Sequence, residues 1–159
     1  IPFLQMLNIE SVNLMQLTID LAKKNLAKNK IPVAAIIVDG KTNEIIAKAT
    51  NDNSPIGHAE LIAIKKALKK LSTNRLDGCE MYVNLEPCPM CAVAISKVHL
   101  SKIYFGAEDE KGGGVINGPK IFSLPNYRSP EIISHCLAEQ SSVLLKKFFL
   151  NKRKTKEAI

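Results

Sequence analysis

Four residues of metal-ligand or acid-base type lie in two short stretches of the chain. His58 and Glu60 are two residues apart, and Cys88 and Cys91 are three apart. Residues three apart share one face of a helix, whereas residues two apart can both reach over its end if they begin the helix. One histidine with two cysteines is typical of a catalytic zinc site whose open fourth position water can fill. The pattern therefore predicts zinc bound by the histidine and both cysteines, with Glu60 as the carboxylate for proton transfer.

The same residues allow two other interpretations. A Cys-x-x-Cys pair can be a redox centre, although that interpretation gives no role to the histidine or the carboxylate. A closed structural zinc site would need a fourth protein ligand, for which the candidates are Cys79, His99, His135 and Cys136. Buried, inert thiols are the other interpretation of Cys79 and Cys136.

Hydrophobic periodicity predicts the elements that must position these residues. Helices are expected over about 11–29, 61–71, 89–97 and from about Pro130 or Ile132 to Leu150, and strands over 33–38, 44–49, 81–85 and 102–106. Asp39-Gly40 between the first two strands predicts an antiparallel hairpin. Leucine and isoleucine at 61, 64, 68 and 71 predict the apolar face of the second helix, which His58 opens. This order of elements predicts helices packed on a mixed sheet.

The charge balance favours a polyanionic partner. Twenty-two Lys and Arg against fifteen Asp and Glu leave a net charge of +7. Lys and Arg that neutralise phosphates release counterions, so nucleic acid is the first candidate. A basic surface with no partner is the alternative.

The length of 159 residues predicts a single domain. We expect it to span residues 11–150, after an N-terminal extension over 1–10 and before a basic tail over 151–159. No apolar run is long enough for a membrane span, and the chain lacks a secretory signal. The four cysteines are therefore expected in a reducing cytoplasm.

The two motifs together match the H-x-E and P-C-x-x-C signature of the zinc deaminases. Beyond that signature, the chain resembles the family of bacterial tRNA-specific adenosine deaminases. The similar stretches are Ile31 to Ala35, Asn51, Tyr82 to Cys88, Ile103 to Ala107, and Phe148-Phe149. The resemblance extends from about Leu14 to Leu150.

This resemblance implies a three-layer αβα, cytidine-deaminase-like α/β fold with a mixed central sheet. It also implies a homodimer with one zinc ion per chain, which hydrolyses adenosine to inosine at the wobble position of a tRNA anticodon, typically in an arginine tRNA. By the same resemblance Glu60 shuttles the proton. The implied substrate contacts are Val33 and Asn51 on the base, Asp109 beside the target nucleotide, and Phe148 on the anticodon loop.

The chain departs from the family pattern at three places. Ala34 replaces a usual glycine, Glu108 replaces a residue that is often basic, and the loop between Asn51 and His58 is short. The other interpretations are that Asn51 is an ordinary turn residue, that Asp109 is a loop cap and that Phe148 is a core residue.

Two other functions are compatible with the zinc motif. A deaminase of a free base or nucleoside, such as guanine, cytosine or cytidine, would share it, but would not need a basic C-terminal helix. A non-enzymatic, zinc-stabilised RNA-binding module would leave Glu60 without a role.

Overall fold

A five-stranded mixed sheet forms the middle layer of the molecule in the computed structural model, which describes residues 8–157. The elements are α1 (Ile9–Ala27), β1 (Ala34–Asp39), β2 (Ile45–Thr50), α2 (Ala59–Leu71), β3 (Cys79–Leu85), α3 (Pro89–Lys97), β4 (Lys102–Ala107), a 3-10 turn (Ile121–Ser123), β5 (Glu131–Ile133) and α4 (Ala138–Glu157). The strand order is β2-β1-β3-β4-β5. Strand β1 is antiparallel to β2 and β3, whereas β4 is parallel to β3 and β5.

Alternating side chains of the strands divide the core between the two faces of the sheet. Ile37, Met81 and Phe105 belong to one buried cluster, which includes residues of α2 and α3. Their neighbours Ile36 and Tyr82 belong to the other, which includes residues of α1 and α4. The three-layer αβα fold is therefore confirmed, as is the antiparallel hairpin of β1 and β2.

The buried face of α2 differs from the predicted leucine stripe. The helix buries Ala59, Ala63, Ile64 and Ala67, whereas Leu71 is 44% exposed. Alanines let the helix axis approach the sheet more closely than leucines would. This close packing holds the first turn of α2 against the sheet, and the metal ligands lie at that end of the helix.

The prediction for residues 130–137 was wrong. Glu131–Ile133 form a strand, and the helix begins only at Ala138. Strand β5 pairs with β4, nearly thirty residues earlier, and helical periodicity cannot detect a pairing that distant. The left-handed residues His135 (φ 62°) and Leu137 (φ 54°) separate the strand from the helix.

Helix α1 begins before, and helix α4 ends after, the residues predicted for these helices. Helix α1 begins at Ile9, and the Asn8 side chain caps it by accepting from the Ser11 N–H at 2.8 Å. The rest of the expected extension, 1–7, lies outside the described residues. Helix α4 passes the expected boundary at Leu150 and continues to Glu157; residues 158–159 of the basic tail are also outside. None of the helices over 8–157 is long and apolar enough to cross a membrane.

Candidate metal centre and active site

The N-termini of α2 and α3 bring the two sequence motifs together. His58 is the N-cap of α2 and Cys88 is the N-cap of α3, and neither side chain caps its own helix. Cys91 is buried in the first turn of α3. The first N–H groups of a helix lack intrahelical partners and carry partial positive charge, which favours thiolates at this point.

The spacing of the ligand atoms fits a tetrahedral zinc ion. His58 Nδ1 lies 3.5 Å from Cys88 Sγ and 3.5 Å from Cys91 Sγ. Zinc–sulfur and zinc–nitrogen bonds of about 2.3 and 2.0 Å at a tetrahedral angle separate the two ligand atoms by roughly 3.5 Å. In the described part of the chain, no other group of three His, Cys, Asp or Glu side chains is placed to hold a metal. Among the described residues this group has only three members, so none of the candidates Cys79, His99, His135 and Cys136 is placed as a fourth ligand.

The side chain of Glu60 is buried next to these ligands. It belongs to the first turn of α2 and is only 4% exposed. Burial raises the pKa of Glu60 to about 7, with a further increase from Cys88 that its own backbone N–H and His58 oppose. A carboxyl group with a pKa near neutrality can both accept and release a proton during a reaction.

The four cysteines are free thiols of two kinds. A hydrogen bond between the two sulfurs lowers the pKa of Cys88 to about 5 and raises that of Cys91. Burial instead raises the pKa of Cys79 and, to about 11, that of Cys136. The second pair therefore fits the interpretation as inert core thiols.

Asn51 connects the sheet to the start of α2. Its Oδ1 accepts the Ala59 N–H at 2.7 Å, and its own N–H donates to the Val33 carbonyl at 3.1 Å. Its carbonyl accepts Asn25 Nδ2 at 2.9 Å. Because Oδ1 is used by the helix, Nδ2 is the end of the amide that remains as a donor for a ligand.

Asn84, for which no role was predicted, is fully buried in β3. Its Oδ1 accepts the Ala34 N–H at 2.8 Å, and its Nδ2 donates to the Pro32 carbonyl at 2.9 Å. These bonds fix the backbone on both sides of Val33, which is 4% exposed. An amide inside the apolar run of β3 was the signal for this role.

The two remaining expected substrate contacts have structural partners of their own. Asp109 is half-buried and its Oδ1 accepts the Gly112 N–H at 2.9 Å, as a loop cap does. Phe148 is 1% exposed, as a core residue is, and the Lys152 ammonium lies 5.4 Å from its ring centre. Phe149, which is 52% exposed, offers the accessible ring at this point of α4.

Comparison with known proteins decides the class of this site. Residues 9–107 match the family model of the cytidine and deoxycytidylate deaminase zinc-binding region. The chain belongs to this deaminase family. The zinc cofactor expected from the motifs and the hydrolytic class of enzyme implied by the resemblance are confirmed. His58, Cys88 and Cys91 are the residues of this deaminase that would hold the ion.

Within the family, this deaminase groups with the tRNA-specific adenosine deaminases. It is 36% identical to the one from Agrobacterium fabrum over 150 residues, covering 91% of this chain and 97% of the relative. It is 41% identical to the one from Rickettsia bellii over 128 residues, covering 77% and 88%. A solved structure from a study of A-to-I editing by tRNA:A34 deaminases superimposes with a TM-score of 0.78 at 34% identity, covering 82% of this chain and 97% of that one.

Proposed function

We propose that this deaminase hydrolyses adenosine to inosine at the wobble position of a tRNA anticodon. The observation that supports it most is similarity over nearly the whole length of a tRNA-specific adenosine deaminase, 97% of the relative from A. fabrum. The metal group and the buried Glu60 provide the chemistry that such a reaction needs.

Glu60 has the central role in the proposed reaction. When bound, zinc activates a water molecule for attack on the purine carbon that bears the amino group. Glu60 takes one proton of the attacking water and passes it to the ring nitrogen, then takes the second proton from the hydroxyl now on the purine carbon and passes it to the leaving amino group. Water is thus consumed and ammonia released, and the carboxylate is regenerated for the next cycle.

Asn51 and Val33 are proposed to hold the base. The free Nδ2 of Asn51 can donate to a ring nitrogen acceptor, and hydrogen bonds of Asn84 keep the backbone around Val33 fixed beside it. Asp109 is proposed to lie beside the target nucleotide. For the anticodon loop we propose Phe149 in place of Phe148, since the Phe148 ring is buried.

A lysine groove is the proposed contact for the RNA backbone. It has a volume of about 260 Å³ and runs along α1, β2 and α2. Its charged lining residues are Lys24, Lys28, Lys48 and Lys66, with no carboxylate among them. The groove also includes Thr50, the neighbour of Asn51 in the chain, so phosphates bound there would lie near the base site.

Three further features belong to the proposal. A homodimer would cover the outer surface of α3, where Met90, Val93 and Ala94 are only partly buried. The substrate is an arginine tRNA, as the family resemblance implies. The cytoplasm is the proposed location, since all four cysteines are free thiols.

A comparison of substrates tests the proposal. Zinc-loaded protein is incubated with total tRNA and, separately, with guanine, cytosine, cytidine and adenosine, and the products are quantified by mass spectrometry. We expect inosine in digested tRNA and little product from the free compounds. Efficient turnover of a free base with none on tRNA would favour the free-base deaminase. RNA binding without any deamination would favour the non-enzymatic module.

A further inference from the structure

Glu86 is a buried carboxylate that the reaction described above does not use. It lies between the end of β3 and Cys88, and it is 2% exposed. In the described part of the chain no Lys, Arg or His forms an ion pair with it. A buried charge without a cation needs hydrogen-bond donors instead.

Five N–H groups of one loop supply those donors. Oε2 accepts the successive backbone N–H groups of Val115, Ile116 and Asn117 at 3.1, 3.0 and 3.0 Å. Oε1 accepts the Asp109 N–H at 3.1 Å and Asn117 Nδ2 at 2.7 Å. Successive backbone N–H groups that converge on one point form an anion-binding nest, and bonds to an ionised acceptor are stronger than neutral ones. The carboxylate of Glu86 thus anchors both ends of the 109–117 loop.

The anchored loop touches the metal centre. The Gly114 N–H donates to the Pro87 carbonyl at 2.8 Å. A Cβ atom at Gly114 would lie 2.5 Å from Pro89 N and 2.8 Å from the Cys88 carbonyl carbon, so the loop backbone packs directly on the ligand-bearing turn. Any displacement of the loop is therefore transmitted to Cys88.

We propose that Glu86 is a positioning residue of the active site. Its carboxylate holds the 109–117 loop against the turn that presents Cys88, and it fixes the backbone of Asp109 at the same time. The effect on the metal ligand depends only on the contacts given above. The effect on substrate binding through Asp109 rests on the proposed function.

Glutamine cannot replace this carboxylate. Each carboxylate oxygen receives at least two N–H groups, so an amide NH₂ in either place would face donors instead of accepting from them. Glu80 provides a matched control at the other end of β3. Its side chain is 14% exposed, and one of its carboxylate oxygens lies 4.0 Å from Nζ of Lys102, the first residue of β4.

The experiment compares Glu86→Gln and Glu80→Gln with the unmodified, zinc-loaded protein. Hydrogen exchange is followed over residues 109–117, zinc release is measured with a chelating dye, and kcat and KM are determined on tRNA. We expect faster exchange in this loop and zinc release accelerated roughly 10- to 100-fold for Glu86→Gln alone, the range typical of lost support around a metal site. On tRNA we expect a higher KM as well as a lower kcat.

Equal exchange and equal zinc release in the two variants would overturn the proposal. If Glu86→Gln does not fold, Asn117→Ala removes the side-chain donor to Glu86 Oε1, together with an exposed 3.2 Å bond from the same Nδ2 to Glu108 Oε1, and should show the same two effects at smaller size; unchanged values would again overturn the proposal. If the unmodified protein fails to deaminate tRNA while the Glu86 effects on exchange and zinc release persist, the proposed function fails and the positioning role stands.

Discussion

The substitution Glu60→Gln distinguishes two effects of this side chain: it transfers protons in the reaction, and its buried charge lowers the stability of the folded state. The substitution keeps the shape of a side chain that is 4% exposed and removes its charge. The three metal ligands and the lysine groove are unchanged, so zinc content and tRNA binding should be retained. Turnover should fall by about 10²- to 10⁴-fold, the usual contribution of a general acid-base group.

The cost to the fold follows from the pKa. Burial raises the pKa of Glu60 from 4.5 to about 7. At about 1.4 kcal/mol per pKa unit, the ionised side chain destabilises the metal-free fold by about 3 kcal/mol. Because the folded pKa is the higher one, stability is greatest below the ordinary pKa and is lost as the pH rises towards 7.

Urea unfolding of the metal-free proteins measures this cost. The free energy of unfolding of the Glu60→Gln variant should exceed that of the unmodified protein by about 3 kcal/mol at pH 8 but by less than about 1 kcal/mol at pH 5. Their difference at pH 4, where the carboxyl group is mostly protonated in both the folded and the unfolded state, provides the baseline. A difference that is the same at all three pH values would refute the argument from burial. Turnover within tenfold of the unmodified protein would show that another group transfers the proton.

The other predictions concern the metal, the RNA surface and the last helix. Cys88→Ser should lose the zinc ion, because a hydroxyl is a poor ligand; one zinc per chain by elemental analysis would contradict the assignment. The double substitution Lys28→Gln and Lys48→Gln should make the negative slope of log K for tRNA against log salt shallower by about 1.4 to 1.8, measured by fluorescence anisotropy. An unchanged slope would exclude the groove as the contact for the RNA backbone. Phe148→Ala should cost about 3 to 5 kcal/mol of unfolding free energy. Phe149→Ala should cost less than about 0.5 kcal/mol while weakening tRNA binding, and the reverse pattern would contradict the burial of the first ring.

The metal group could be predicted because its signals are local. His58 and Cys88 immediately precede their helices, so the spacing within each motif already determines which side chains reach the helix end. The convergence of the two helix ends could be inferred only from the chemistry of the ligand set. The interpretation of Phe148 as a core residue also came from the sequence, and its ring is buried.

The features that sequence reasoning missed depend on distant contacts. Strand β5 exists because it pairs with β4, and the three residues from Glu131 to Ile133 have no periodicity of their own. Glu86 finds its partners 23 to 31 residues further along the chain, in a loop rich in glycine. A charged residue at the end of an apolar strand was the one available sign of that role.

The most direct test of the central claim is to sequence tRNA anticodons after incubation with the zinc-loaded protein. Inosine pairs with cytosine, so reverse transcription reports deaminated adenosine as guanosine. We expect this change at the wobble adenosine of an arginine tRNA, and none with the Glu60→Gln variant. Unchanged anticodons in every tRNA, together with efficient deamination of guanine, cytosine or cytidine by the same preparation, would contradict the assignment of tRNA as the substrate.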